Sequence, residues 1–339
     1  MKKFLWSLII ILVAFLAIAI TFMALSPKNM TYEAEQTIDA PPHMVYNLVN
    51  DFTKWTLWSP VMQLDPETIN TYSDLTMGPG ARWSWKGNEL VGEGQRKIIE
   101  AIEAESIKTE IEFSGIPTIS RGQWIFTKDG DKTRVTWAYE GGDTAFPFRP
   151  FNVMYKRGFK KTYQKGLDKL KEVAEQRAKN KMYRGYQIND DFIDARIYLM
   201  NRQEVRMENV QQFYAQNLGA LFMKAQKSKM TMDGMPSGLF FNDLSNSNTV
   251  DMAAAIPVEE EKSVEGAQML NVPEGRAVQV NYYGDYSGIS EAHAAIEDYI
   301  RDYGLLKTMP VVEEYMTDPG EEKDPSKWLT RIIYYIQDN

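Results

Sequence analysis

Residues 309–319, MPVVEEYMTDP, place two carboxylates side by side in an apolar run that reads as a strand. Strand side chains alternate between faces, so Glu313 shares one face with Val311 and Tyr315, and Glu314 shares the other with Val312 and Met316. A carboxylate in an aromatic groove is costly to keep ionised unless a cation pairs with it, and well-placed ring faces add ~0.5–2 kcal/mol of attraction for that cation. Tyr283, Tyr315 and Trp328 are the rings the sequence offers Glu313 for this purpose. The competing expectation has Glu313 half-exposed at a sheet edge or paired with Arg276 or Arg331. Glu314 is expected in solvent, because nothing in the sequence demands its burial.

Other chemistries are thinly represented. There is no cysteine, which removes disulfides, thiolate catalysis and cysteine-based metal sites. With only His43 and His293 present, a histidine-based metal site is not expected, and neither histidine stands out. No Walker loop, Gly-x-Ser-x-Gly elbow, zinc-protease motif or dinucleotide fingerprint occurs, and no cofactor is expected. A net charge of -8 disfavours a phosphate-tracking surface, so nucleic acid is not an expected partner.

A chain of 339 residues is long for one core and suggests two folded domains. The first residues carry Lys2 and Lys3, then an uncharged apolar run from Phe4 to Leu25, which at ~1.5 Å per residue spans a ~30 Å hydrocarbon core. It reads as a single-pass transmembrane helix rather than a cleaved signal, because the apolar run continues past the small residues Ala17–Ala19. The lysines ahead of it keep the N-terminus in the cytoplasm and place the folded part outside.

Residues 31–140 alternate like strands, with RWSWK placing Trp83 and Trp85 on one face and Asp129-Gly130 marking a hairpin. A helix interrupts early, where Val45, Leu48, Val49 and Phe52 recur at helical spacing. After Pro150, Phe151, Tyr155, Phe159, Tyr163, Leu167, Leu170 and Val173 predict a long amphipathic helix lying across the sheet, with Gly158 and Gly166 permitting close approach. Its basic stretch YKRGFKKTYQK, 155–165, reads as a solvated face, with contact to anionic lipid headgroups as the alternative. Trp55, Trp58, Trp83, Trp85, Trp124 and Trp137 read mainly as core, with Trp83 and Trp85 the candidates for lining a cavity.

The stretches IDAPPHMVYNLVNDFTKWTLWSP, GPGARWSWKG and TRVTWAYEG, followed by the closing helix, resemble the SRPBCC or polyketide-cyclase-like superfamily, the helix-grip fold of START-type lipid-binding domains. That resemblance covers about 31–177 and implies a cavity between sheet and helix suited to a lipid-like apolar ligand. Residues 178–191 are charged and read as a linker, and 192–339 as a second domain with a strand, helix, strand, strand unit occurring twice. In it, YYGDYSGISEAHAAIEDYIRDYGL, MPVVEEYMTDP and DPSKWLTRIIYYI resemble the GyrI-like small-molecule-binding domain, also found as the effector-binding domain of AraC-type regulators. The resemblance implies a ligand-binding glutamate at Glu313 with Tyr315, a Gly-x-Tyr motif at Gly284 and Tyr286, and Trp328 before the last strand. No helix-turn-helix reader accompanies it; the apolar segment 1–30 and the helix-grip domain stand in its place.

The expected fold class is therefore α+β: one transmembrane helix, a helix-grip domain and a GyrI-like domain of two repeats. The expected function is membrane-anchored binding of an amphipathic or cationic small molecule in the second domain, with a lipid-like one in the first. Hydrolysis of an electrophile by Glu313 and a nearby tyrosine is the second expectation, behind non-enzymatic binding. A pocketless interaction module is the third.

Overall fold

The computed structural model describes residues 2–242 and 248–338. Its first element, α1 (Lys2–Leu25), is from Trp6 onward long and apolar enough to cross a membrane, and none of that stretch is buried within the protein. The side chains of Lys2 and Lys3, which carried the orientation argument, lie outside the described residues. The chain divides into two compact units, Met1–Lys179 and Asn180–Asn339.

Unit 1 is a seven-stranded antiparallel sheet with a closing helix. The strands are β1 (Thr31–Ile38), β2 (Ile69–Tyr72), β3 (Arg82–Lys86), β4 (Glu93–Ile102), β5 (Ser106–Phe113), β6 (Ser120–Asp129) and β7 (Lys132–Glu140), in the order β1-β7-β6-β5-β4-β3-β2. The early helix α2 (Pro42–Asn50) starts on a proline preset for the first turn, and α3 (Pro60–Leu64) is capped by Ser59. The β6–β7 hairpin turns at Gly130, whose φ of +64° suits a residue without a Cβ. The closing helix α4 (Arg149–Asn180) departs from the single buried stripe its spacing predicts. Tyr163, Leu167, Leu170 and Ala174 are buried, whereas Phe151, Tyr155 and Phe159 are exposed. The two glycines separate the halves: a Cβ on Gly166 would strike Pro60 and crowd Trp137, while one on Gly158 would meet nothing.

Unit 2 holds β8 (Met182–Tyr183), β9 (Tyr186–Gln187), β10 (Asn189–Ile193), β11 (Arg196–Arg206), α5 (Val210–Lys227), β12 (Ser237–Phe240), β13 (Thr249–Val258) and β14 (Gln268–Val272). It continues with β15 (Gly275–Tyr283), α6 (Ser290–Tyr303), β16 (Leu305–Tyr315) and β17 (Leu329–Asp338). Its main sheet runs β10-β15-β17-β16-β12-β13-β11-β14. The units β11-α5-β12-β13 and β15-α6-β16-β17 thus sit as two halves meeting where β12 pairs with β16. Their helices cover one face of the sheet, over a core that includes Phe213, Leu221, Ile296 and Tyr299. The opposite face carries a smaller cluster around Tyr198, Leu239, Val312 and Ile333.

The stretch 178–191, expected to be a linker, is instead structured. It contains the end of α4, a small hairpin of β8 and β9, and the start of β10, which pairs along β15. Three interactions fix it despite its polar composition: Tyr183 is buried and donates to Asp302, Arg184 pairs with Asp298, and Asp190 pairs with Arg276.

Candidate functional site

A cavity of about 1320 Å³ opens in unit 2 between α5 and α6, over the central strands. Its wall is mostly apolar and aromatic, from Val210, Tyr214 and Leu218 on α5 to Ile289 just before α6 and Met309, Val311 and Tyr315 on β16. Alternation within β16 works as the sequence predicts, with Val311, Glu313 and Tyr315 facing the cavity and Val312 and Glu314 on the other face, but Met316, expected beside Glu314, lies past the end of the strand and lines the cavity.

Glu313 is only 7% exposed. Its Oε1 lies 2.9 Å from His293 Nε2, and its Oε2 accepts from the Tyr315 hydroxyl at 3.1 Å. His293 Nδ1 is in turn 3.0 Å from the Tyr334 hydroxyl. An ionised carboxylate only accepts, so the neutral ring that fits this chain is protonated on Nε2 and accepts from Tyr334 at Nδ1. Burial, and then the charge of Glu313, push the hydroxyls of Tyr214 and Tyr315 well above the ordinary tyrosine range; Tyr286 is raised by the same two causes. All three rings therefore stay neutral and present hydroxyl donors. Gly238 on β12 makes room for two of them, since a Cβ there would strike the Tyr214 hydroxyl and lie 2.7 Å from that of Tyr315.

The charges around the cavity are one-sided. Asp285, Glu297, Glu313, Asp318 and Glu321 line it, and among the described residues Lys307 is the sole lysine or arginine that does so. Lys307 is already held by Glu297 at 2.6 Å. The competing expectation for Glu313 fails, because Arg276 pairs with Asp190 and Asp338, and Arg331 pairs with Glu314. Glu314 is itself a correction: instead of facing solvent it is 2% exposed, bridging Arg196 and Arg331 on the opposite face. Two guanidiniums supply what the sequence alone did not reveal, compensation for a buried charge.

The other sequence candidates separate. Tyr286 lines the cavity, edge-on to Tyr315 at 5.7 Å. Trp328 stands behind it, 5.5 Å from Tyr286, with its indole N–H donating to the Glu322 carbonyl. Tyr283 is 62% exposed and lies outside the cavity wall, because on β15 the alternation turns its neighbour Tyr282 inward. Tyr282 instead fixes the following turn by donating to the Asp285 carbonyl at 2.6 Å. Trp83 and Trp85 are core rather than cavity lining: they pack 4.9 Å apart within a cluster that includes Phe52, Trp55 and Phe113, and Trp83 donates to Asn70. Between the sheet and α4, Tyr163 lies 3.8 Å from Trp137, which is stacked on Trp124. Beside them the guanidinium of Arg96 is buried over the Trp55 ring.

His293 and Tyr214 line the cavity without having stood out in the sequence. Ile289, the residue that caps α6, and His293 and Glu297 within it recur at four-residue intervals and all face the cavity, as do Val210, Tyr214 and Leu218 along α5. That spacing was the available signal.

Comparison with known proteins agrees with this architecture. Residues 30–175 match the family of polyketide cyclase, dehydrase and lipid transport proteins. Residues 191–336 match the GyrI-like small molecule binding domain. No curated protein sequence matches significantly. Among solved structures, the EcmrR C-terminal domain is similar at TM-score 0.42 and 19% identity, covering 45% of this chain and 99% of that one. A hydrolase from Listeria innocua is similar at TM-score 0.33 and 16% identity, covering 44% and 91%. Protein CV1439 from Chromobacterium violaceum is similar at TM-score 0.34 and 14% identity, covering 43% and 96%.

Proposed function

Starting from a chain that carries a polyketide cyclase-type domain, then a GyrI-like domain, behind an apolar N-terminal helix, we propose that it is a membrane-anchored protein that binds an amphipathic organic cation in the GyrI-like domain. The observation that carries this reading is Glu313, a buried carboxylate at the floor of a large aromatic cavity whose other charged lining is acidic or already paired. A lipophilic cation would pair with the carboxylate and lay its apolar body along Val311, Leu218 and the tyrosine rings. The test is titration of the fragment beginning at Pro27 with a fluorescent lipophilic cation. Saturable binding that a neutral dye of the same shape does not compete for supports the reading, and absence of saturable binding refutes it.

A second reading rests on the chain Tyr334–His293–Glu313–Tyr315. A carboxylate held by an imidazole, with a neutral phenol alongside, can serve as general base and hydrogen-bond donor for hydrolysis of a bound electrophile. Turnover lost in Glu313→Gln while ligand binding persists would favour it. In the first domain the rings of Tyr163, Trp137 and Trp124 and the guanidinium of Arg96 crowd the space between sheet and helix, and the cavity of about 480 Å³ that remains, lined by Tyr32, Thr109, Tyr139 and Lys156, favours a contact role there over a bulky lipid-like ligand. The anchor is proposed to hold its N-terminus in the cytoplasm with the domains outside, and a C-terminal reporter active only in the cytoplasm would overturn that orientation.

A further inference from the structure

Most apolar side chains on the N-terminal half of α4 are left exposed, although Asn152 and Phe159 touch the rest of unit 1. Phe148 and Phe151 stack at 6.5 Å, Phe151 and Tyr155 at 5.8 Å, and these rings are exposed together with Met154 and Phe159. A soluble helix rarely leaves such an apolar strip uncovered, particularly one continuous with the stripe its second half buries. Between Arg149 and Gln164 the same stretch holds Arg149, Lys156, Arg157, Lys160 and Lys161 and no acidic residue, in a chain whose net charge is -8. None of these cations pairs with a carboxylate among the described residues; Arg149 instead sits 5.5 Å from the ring of Phe146.

The location of this face identifies what covers it. Asn152 on the first turn of α4 donates to the carbonyls of Pro27 and Lys28, at 3.0 and 3.2 Å, and the Thr144 amide donates to the Lys28 carbonyl at 2.7 Å. The turn Phe146–Phe148 packs against α1 itself. The exposed rings and unpaired cations therefore begin where the chain leaves the apolar helix, at the level where a bilayer containing α1 presents its headgroups.

We propose that the N-terminal half of α4 lies on the surface of the membrane that holds α1, with Phe148, Phe151, Met154 and Tyr155 at the acyl boundary and Lys156, Arg157, Lys160 and Lys161 on anionic phosphates. Aromatic rings favour that depth and lysines and arginines are attracted to an anionic surface, so the face fixes how unit 1 stands on the bilayer rather than whether it is attached. This rests on α1 being a membrane anchor.

Because the chain has no cysteine, single labels report each part separately. The full-length protein, carrying an environment-sensitive fluorophore at Ala14→Cys, Met154→Cys or Gln176→Cys, is reconstituted into phosphatidylcholine vesicles with and without phosphatidylglycerol and with a quencher on the lipid chains. Gln176 is ~33 Å along the helix from Met154 and serves as the distant control. Quenching is expected at Ala14 in both vesicles, at Met154 more strongly with phosphatidylglycerol, and not at Gln176. Reversal of Lys156, Arg157, Lys160 and Lys161 to glutamate is expected to weaken Met154 quenching by about threefold or more. No quenching at Ala14 overturns the anchor. Quenching at Ala14 without Met154 overturns the surface contact alone, and Met154 quenching indifferent to lipid charge and to the reversals overturns its anionic recognition.

Discussion

Replacing Glu313 by Gln keeps the shape of the side chain and removes its charge, so it isolates electrostatic recognition in the cavity. A unit charge ~4 Å from a carboxylate in a protein interior of effective dielectric ~20 is attracted by ~4 kcal/mol. Not all of this reaches affinity. In the free protein the carboxylate already accepts from Tyr315 and lies against His293, and the cation must shed water to reach it. About 1.4–2.8 kcal/mol remaining corresponds to a ten- to hundredfold weaker Kd in Glu313→Gln.

Fluorescence titration of the Pro27-onward fragment with a lipophilic cation measures this directly, and repeating it at high salt separates floor from rim. Glu313 is buried, so its contribution should persist in salt, whereas that of Asp318 and Glu321 near the mouth should be screened. Equal Kd for wild type and Glu313→Gln would refute the charge argument and leave recognition to the rings. A difference that disappears at high salt would move it to the rim carboxylates.

Glu314→Gln should do the opposite, lowering stability by about 2–4 kcal/mol, because Arg196 and Arg331 lose their shared partner while remaining partly solvated, and leaving cation affinity intact; denaturant melts paired with the same titration check both parts. Gly238→Ala should weaken binding at least tenfold by displacing the Tyr214 and Tyr315 hydroxyls, with ~1–3 kcal/mol of overpacking visible in the melt, and wild-type affinity would show that those rings are not part of the site. Burial of Asp190 disfavours its charge, but hydrogen bonds from Arg276 and Tyr299 and the charges of Arg276 and Lys181 outweigh that and hold its carboxyl below the usual aspartate range. Its stabilisation is accordingly present above the unfolded aspartate pKa of ~3.9 and lost as the pH falls through the lower folded value. Asp190→Asn should therefore flatten the acid limb of unit 2 stability, and an unchanged limb would remove Asp190 from the account.

The course of the chain was legible where a local period encodes it. The hairpin at Asp129-Gly130, the long helix after Pro150 and the inward face of β16 each follow from spacing within a few residues. What escaped was set by partners distant in sequence. Nothing local to Glu314 announces Arg196, which comes from β11, and nothing in the polar stretch 178–191 announces that Asp190 will pair with Arg276 to seat β10 on β15. Tyr283 differs for a local reason instead: of the two adjacent tyrosines on β15, alternation turns Tyr282 inward and leaves Tyr283 exposed.

Neighbouring carboxylates with opposite fates follow from the duplicated architecture. Two halves meeting at β12 and β16 create one sheet with two dissimilar faces, and β16 at the centre must present a side chain to each in turn. On the helix face Tyr214 of α5 and His293 of α6, each four residues beyond an apolar residue of the cavity wall, flank the same cavity. His293 holds one oxygen of Glu313 and Tyr315 the other, and Gly238 of the first repeat lies under the rings of Tyr214 and Tyr315. The symmetric scaffold thus supplies the space and the divergence between its halves supplies the charge. The cation proposed for this cavity would therefore bind asymmetrically, with its charged end at Glu313 on the α6 side and its apolar body toward Leu218 and Val210 on α5. A symmetric dication would gain nothing from its second charge at that apolar wall, and should bind no tighter than the monocation of the same length.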